Sequence, residues 1–442
     1  MPAYLEAFGL IASLLLLITL VMRGMNLLIA APLCALLLAV ISGMPLFPQL
    51  VEEGDPNFVG TYMDGFTDFV ASWFLMFLLG AIFGKVMEDT RAAEAVSKYL
   101  MDKLGPRFTL ASVVGACAIL TYGGVSLFIV GFTVFPIALA LWRMSDYPRR
   151  FIPATLAFGS VTFTMTSAGS PEIQNWIPID HLGTSPLAGW EVSLIVAVVM
   201  IATGYYWLKW MVKRAVARGE RFDEREGDPV LVDRDTPNPY LSLIPLAVVL
   251  GLSLSLHHHF GTSALIIALT GGVLTAYLLG RRFVKDIWET AGSGTTGALL
   301  AIANTAAVVG FGWIARDTEG FQAALSFMME VGGETTPLVG AALSVLVIVG
   351  LTGSSSGGMN IVLPEIGPNY IGQGVDPSAL HRVAALSSGA LDSLPHGGYT
   401  VTNIRIICGE THKAAYPAAF ATTVAVPLLG AVVAVLLFSV GL

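Results

Sequence analysis

Charge is what this chain has least of. Asp, Glu, Lys and Arg make up 12% of its 442 residues, where soluble domains carry about 25%. Hydrophobic residues account for 55% and the mean hydropathy is +0.74. A soluble globular domain is excluded, and a polytopic membrane protein is left. Cysteine is scarce too: Cys34, Cys117 and Cys408 lie in or beside apolar runs without metal-ligand spacing. They read as packing residues, so neither a disulfide framework nor a metal site is implied. No Gly-Lys-Ser/Thr phosphate loop occurs, which argues against a nucleotide-driven pump. The basic stretch Lys209 to Arg225 is broken by Glu220, Asp223 and Glu224 and followed by Glu226. It reads as a solvated cytoplasmic connector, and no nucleic-acid partner is expected. Residues 1–7 lack a basic n-region, and no cleavable signal peptide is expected.

Long apolar segments are what the chain does have. Those at 8–22, 26–45, 68–87, 190–208, 240–256, 262–280 and 415–440 meet or approach the roughly 17–25 residues that cross a bilayer. The placement of Lys and Arg orients them, and it matters more than the net charge of −8. Loop 46–64 holds Glu52, Glu53, Asp55 and Asp64 without a basic residue and belongs outside. Lys85, Arg91, Lys98, Lys103 and Arg107 belong inside, as do Arg143, Arg149 and Arg150. Loop 172–189, with Glu172 and Asp180, is outside; connector 209–239 is inside. Beyond it, Arg281, Arg282, Lys285, Arg405 and Lys413 are inside, while His257 to His259 and an acidic loop with Glu319, Glu330 and Glu334 are outside. Both termini are then expected outside, in a cytoplasmic (inner) membrane. Asp89 and Asp317 read as N-caps of surface helices.

The chain also echoes itself. Phe83-Gly84 and Asp89-Thr90 recur at one constant displacement as Phe311-Gly312 and Asp317-Thr318. With small slips, Phe135-Pro136 matches Leu363-Pro364, Asp146 matches Asp376, Gly159 matches Gly389 and Gly169 matches Gly398. The runs 109–142 and 337–363 each enter and leave from one side and predict re-entrant hairpins. Spans 151–166 and 379–394 each end in a Gly/Pro break. Five crossings plus one hairpin per half is an odd count, so the second copy is expected upside down. The expected fold is an all-α inverted repeat, 1–208 and 240–442, of the kind found in secondary transporters.

Four interruptions carry the chemistry: 121–126, 166–171, 352–358 and 394–398. A broken helix in hydrocarbon strands N–H and C=O groups, each costing on the order of several kcal/mol if unpaired. N–H groups at half-helix N-termini favour an anion, with hydroxyls as added donors. The substrate-binding candidates are Thr121, Tyr122, Gly123, Gly124 and Ser126 at the first tip, and Thr166, Ser167, Gly169 and Ser170 at the first break. The second tip offers Thr352, Gly353, Ser354, Ser355, Ser356, Gly357 and the nearby Asn360; the second break offers His396, Gly397, Gly398 and Thr400. This inventory suits a small carboxylate bearing hydroxyls. The alternative is glycine used for close packing and serine bonded within its own helix. Asp392, His396 one helical turn on, and Glu172 are the proton-coupling candidates, since charge inside spans is usually functional. As alternatives, His396 bonds a freed carbonyl, Asp392 caps the hairpin, and Glu172 and Glu365 are rim residues. Arg382 reads as a headgroup anchor. Gly353 to Gly357 fits the Gly-x-Ser-x-Gly elbow, but that pattern means a hydrolase only on a strand–turn–helix, so no enzyme is expected.

At Gly353-Ser-Ser-Ser-Gly-Gly358, and over Ala385 to Gly398 with Asp392-Ser-Leu-Pro-His396, the chain resembles the gluconate:proton symporter (GntP) family of the ion transporter superfamily. The resemblance implies proton-coupled uptake of a small hydroxylated monocarboxylate, with no cofactor. It also implies a homodimeric elevator: scaffold parts 1–106 and 240–336, and moving parts 107–208 and 337–442. A 3-hydroxybutyrate-like acid fits better than gluconate, because amides are few and Phe128, Phe163, Met165 and Met359 offer an apolar wall. Sodium coupling and a passive anion channel remain the alternatives.

Overall fold

In hydrocarbon a backbone amide has no water to bond, so apolar runs this long close their hydrogen bonds within helices. The computed structural model describes residues 3–52, 54–105, 108–225, 228 and 235–442, and no strand occurs among them. Glu53, Arg107, Glu226 and connector residues 229–234 lie outside the described residues. The first half contains α1 (Ala3–Met22), α2 (Leu27–Ser42), α3 (Phe58–Asp89), α4 (Ala92–Leu104), α5 (Thr109–Tyr122), α6 (Leu127–Ser145), α7 (Ile152–Ala157), α8 (Ile173–Leu182) and α9 (Trp190–Ala217). The second contains α10 (Pro239–Ser242), α11 (Ile244–Phe260), α12 (Ser263–Gly280), α13 (Ile287–Arg316), α14 (Glu319–Glu334), α15 (Pro337–Thr352), α16 (Ser355–Gly372), α17 (Pro377–Leu391), α18 (Gly398–Val401), α19 (His412–Phe420) and α20 (Val426–Ser439). Among the described residues, seven helices are long and apolar enough to cross a membrane. Their outer faces expose side chains such as Leu75, Leu194, Leu274 and Leu436, as lipid contact requires.

The longest helices, α3 and α13, lie against each other, with α12 on α3 and α2 on α13. Gly84 of α3 receives Ile129 of α6, and Gly312 of α13 receives Ile361 of α16. A side chain at either glycine would meet the isoleucine below contact distance, so each hairpin seats on its long helix through a missing Cβ. α5 folds back onto α6 and α15 onto α16; α16 runs on to Gly372, which places Glu365 inside the helix instead of at its end. Its carboxylate lies 3.7 Å from Arg316.

Three expectations need correction. The acidic segment with Glu319, Glu330 and Glu334 is the helix α14, not a loop. Asp89 and Asp317 cap no N-terminus. Asp89 ends α3 and accepts from the Thr290 hydroxyl at 2.6 Å, while Thr318 caps α14 by accepting from Phe321 N–H at 3.2 Å. The connector leaves helix only after Ala217, and its next stretch is clamped, not merely solvated. Arg149 bonds Asp228 at 2.9 and 3.0 Å, Arg150 bonds Glu220 at 2.7 and 3.0 Å, and Arg225 reaches Glu410 at 2.9 Å. Glu220, Arg225 and Asp228 thereby tie α6–α7 to the loop before α19.

Candidate substrate site

The first broken span leaves α-helix through a π-turn at Phe158–Thr162 and resumes as α8 at Ile173. Its freed backbone is taken up by protein. Arg382 donates to Thr166 O at 2.6 Å, and the Tyr122 hydroxyl donates to Ala168 O. Ser170 O accepts from Asn175 Nδ2 at 3.0 Å and from Trp176 Nε1 at 3.2 Å. Ala168 N–H reaches the Ser193 hydroxyl at 2.9 Å, and Gly169 N–H reaches Pro186 O at 2.8 Å. Ser167 donates to Phe163 O of its own chain segment at 2.7 Å. Gly123 and Gly124 of the first tip press on Leu246 and Val249 of α11. Thr121 is buried, and its hydroxyl has no partner among the described residues.

The second break, 392–397, has fewer ties. Gly397 N–H bonds Leu394 O at 2.8 Å, Tyr416 donates to Ser393 O at 3.3 Å, and Ser393 donates to Asp392 Oδ1 at 2.9 Å. Asp392, Leu394 and Pro395 are half-buried and Gly398 is exposed. The second tip folds onto this break. Gly353 ends α15 at φ 63°, the left-handed conformation that glycine adopts without strain. A Cβ there would sit 2.7 Å from the His396 ring. The ring faces the Gly350 carbonyl, and its Nε2 is buried without a partner among the described residues. Ser354 caps α16 by accepting from Gly357 N–H at 3.2 Å. Ser355 accepts from Gln174 Nε2 at 3.2 Å and also lies against the Asp392 carboxyl. Gln174 Oε1 is likewise unpartnered.

Gln174 was missed in the sequence, yet it joins the halves, because it begins the helix after one break and bonds the tip beside the other. Phe128 of the first hairpin meets Tyr399 edge-on, centroids 5.5 Å apart, in a cluster with Leu127, Val161 and Met165. Thr166 packs on Gly389. Other candidates stand apart: Asn360 bonds His181 at 2.9 Å, Met359 is wholly buried, and Phe163 meets Phe158 edge-on. Asp392 and His396 lie on the break, not on one helical turn, and each has its own partners. Arg382 is no headgroup anchor: it is fully buried. Ser355 is the first residue of α16 and follows a helix, not a strand.

A family model described as GntP family permease matches residues 5–279. The chain belongs to the GntP permease family. Among curated relatives of this permease, an uncharacterized transporter YxjC of Bacillus subtilis (strain 168) is 32% identical, covering 91% of this chain and 92% of its own. An uncharacterized transporter of Haemophilus influenzae (strain ATCC 51907 / DSM 11121 / KW20 / Rd) is 25% identical over 73% of this chain and 74% of its own. Among solved structures, the YdaH transporter of Alcanivorax borkumensis, described as having an unusual topology, aligns at a TM-score of 0.53. It is 14% identical over 86% of this chain and 88% of that one. That likeness concerns the fold alone. The protein is an integral membrane transporter.

Proposed function

We propose that this permease is a proton-coupled secondary transporter that takes up a small hydroxylated monocarboxylate across the cytoplasmic membrane. The observation that carries the reading is the second tip seated on the second break. His396 Nε2 and Gln174 Oε1 are buried there without partners among the described residues, beside Ser355 and the half-buried Asp392. Buried polar atoms are normally bonded, so atoms left free at the meeting of two interrupted helices mark a place for a polar ligand. Gln174 and the hydroxyls suit a carboxylate with one or a few hydroxyls, and the cluster of Phe128, Met165 and Tyr399 is the candidate for its apolar wall. This balance favours a 3-hydroxybutyrate-like acid over gluconate. Asp392, His396 and Glu172 are the groups for the proton.

The matched seating of Ile129 on Gly84 and Ile361 on Gly312, with the reciprocal packing of α2 and α12, supports an inverted repeat, and the placement of Lys and Arg puts both termini outside in this reading. In that reading α1–α4 and α10–α14 form the scaffold of a homodimer, and the hairpins with the broken spans move as an elevator. Uptake into proteoliposomes under an imposed pH gradient or an imposed Na⁺ gradient, one at a time, tests the coupling. Accumulation of 3-hydroxybutyrate driven by the pH gradient supports the reading. Accumulation driven by Na⁺ alone moves it to sodium coupling, and equilibration without accumulation makes the protein a passive channel.

A further inference from the structure

Arg382 is a wholly buried cation that meets no carboxylate among the described residues. The other buried arginine, Arg149, pairs with Asp228 and Glu410. Arg382 instead donates Nε and Nη2 to Ala188 O at 2.9 and 2.8 Å, Nη1 to Thr166 O at 2.6 Å, and Nη2 to Asn175 Oδ1 at 3.0 Å. Those dipoles stabilise the guanidinium without cancelling its charge, and an uncompensated charge inside membrane protein is retained for a use. His381, its neighbour, lies 2.6 Å from the Thr184 hydroxyl and 3.2 Å from Asn175 Oδ1, so it too meets uncharged oxygens and no carboxylate.

We propose that Arg382 sets the charge of the cargo. It is a positioning residue that acts through its partners and makes the neighbouring site favour a monoanion over an uncharged molecule of the same shape. Two short paths connect it to the site. Asn175 adjoins Gln174, whose amide reaches Ser355, and Thr166 packs on Gly389 of the same helix as Arg382. The cation is thus joined to the site through both, and the acids that face the same site, Asp392 and Glu172, make no ion pair with it. In a low-dielectric interior such a field reaches farther than in water. This inference rests on the carboxylate reading above and adds the residue that selects for charge.

The test compares binding of 3-hydroxybutyrate and its uncharged amide, 3-hydroxybutyramide, to the purified full-length chain by calorimetric titration. The wild type is expected to prefer the acid. Arg382→Lys keeps the charge without the forked geometry, and is expected to retain the preference within about threefold while lowering the thermal midpoint. Arg382→Gln is expected to shrink the preference at least about tenfold, chiefly by weakening the acid. If Arg382→Gln does not fold, Asn175→Asp keeps Oδ1 on the guanidinium and offsets its charge; the carbonyls of Ser170 and Pro186 lose the Asn175 amide but keep Trp176 Nε1 and Gly169 N–H as donors, and the same shrinkage is expected. A preference unmoved in the neutralised variant overturns the proposal alone, since a purely structural residue would lower stability without changing the ratio. Failure of the wild type to bind 3-hydroxybutyrate or any other C3 to C6 hydroxy acid overturns the carboxylate reading and this proposal with it.

Discussion

The two interrupted spans begin from the same kind of sequence, glycine, proline and small hydroxyl residues, but end in opposite states. At the first break, Thr166, Ala168 and Ser170 each hand a carbonyl to a side-chain donor, and Ala168 and Gly169 place their N–H groups on Ser193 and Pro186. At the second, the ties are few and the surroundings partly open, with Gly398 exposed and His396 Nε2 free. A helix break is therefore not a binding site by virtue of being a break. The first is a joint held rigid by Asn175 and Arg382, and the second is the place where a ligand finds unused polar groups. The two meet at Gln174.

Breaking the first joint should have the largest effect on folding. Asn175→Leu strips acceptors from Arg382 and His381 and donors from Ser170 O and Pro186 O. Each buried group left unpaired costs roughly 1–3 kcal/mol, more when charged, so a loss of about 3 kcal/mol or more is expected, read as a collapse of the thermal midpoint in detergent. At the second break the effect should fall on coupling. Asp392→Asn is expected to abolish gradient-driven accumulation while retaining exchange of labelled for unlabelled acid; wild-type accumulation would remove Asp392 from the proton path. Gln174→Ala should be milder, raising KM for uptake about tenfold, equivalent to about 1.4 kcal/mol, with stability changed by less than that. An equal loss of stability and uptake in Gln174→Ala would make it part of the joint instead.

The smallest effect belongs to the clamp. The Arg150 fork holds the Glu220 carboxyl below its ordinary value of 4.5. A carboxylate with a lowered folded pKa contributes its stability in full above the unfolded value, and loses it as pH falls through the folded one. The thermal midpoint of Glu220→Gln should therefore lie slightly below wild type at neutral pH, and the two should converge in acid below about pH 4.5. Both side chains are partly exposed, so the difference should stay within about 1 kcal/mol.

The hairpins, the breaks and their glycines were legible because apolar runs are long and glycine and proline are the residues that interrupt them. Element ends were not. Charge was taken as a sign of loop, yet α14 is an amphipathic helix, with Glu330 and Glu334 on faces away from its buried Phe321 and Leu325. At α14 the cap went to Thr318 instead of Asp317, α4 begins after Arg91 without a side-chain cap, and Asp89 bonds a hydroxyl on a helix two hundred residues later in the chain. Gln174, Asn175 and Arg382 escaped for a related reason. A single amide or cation beside a break has no periodicity, and its role is fixed by acceptors such as Ala188 O, whose position only the folded chain determines. Hydroxyls counted as ligands, such as Ser167, turned inward to their own backbone, as serine in an apolar helix commonly does.

The most direct test uses substrate protection of an introduced thiol at each break, since Cys34, Cys117 and Cys408 are buried. Gly398→Cys adds a side chain where open space surrounds the Cβ position, and Ala168→Cys replaces a half-buried residue at the first joint. With 3-hydroxybutyrate present, alkylation should slow at position 398 and stay unchanged at 168. Protection at 168 with none at 398 would contradict the assignment of the ligand to the second break.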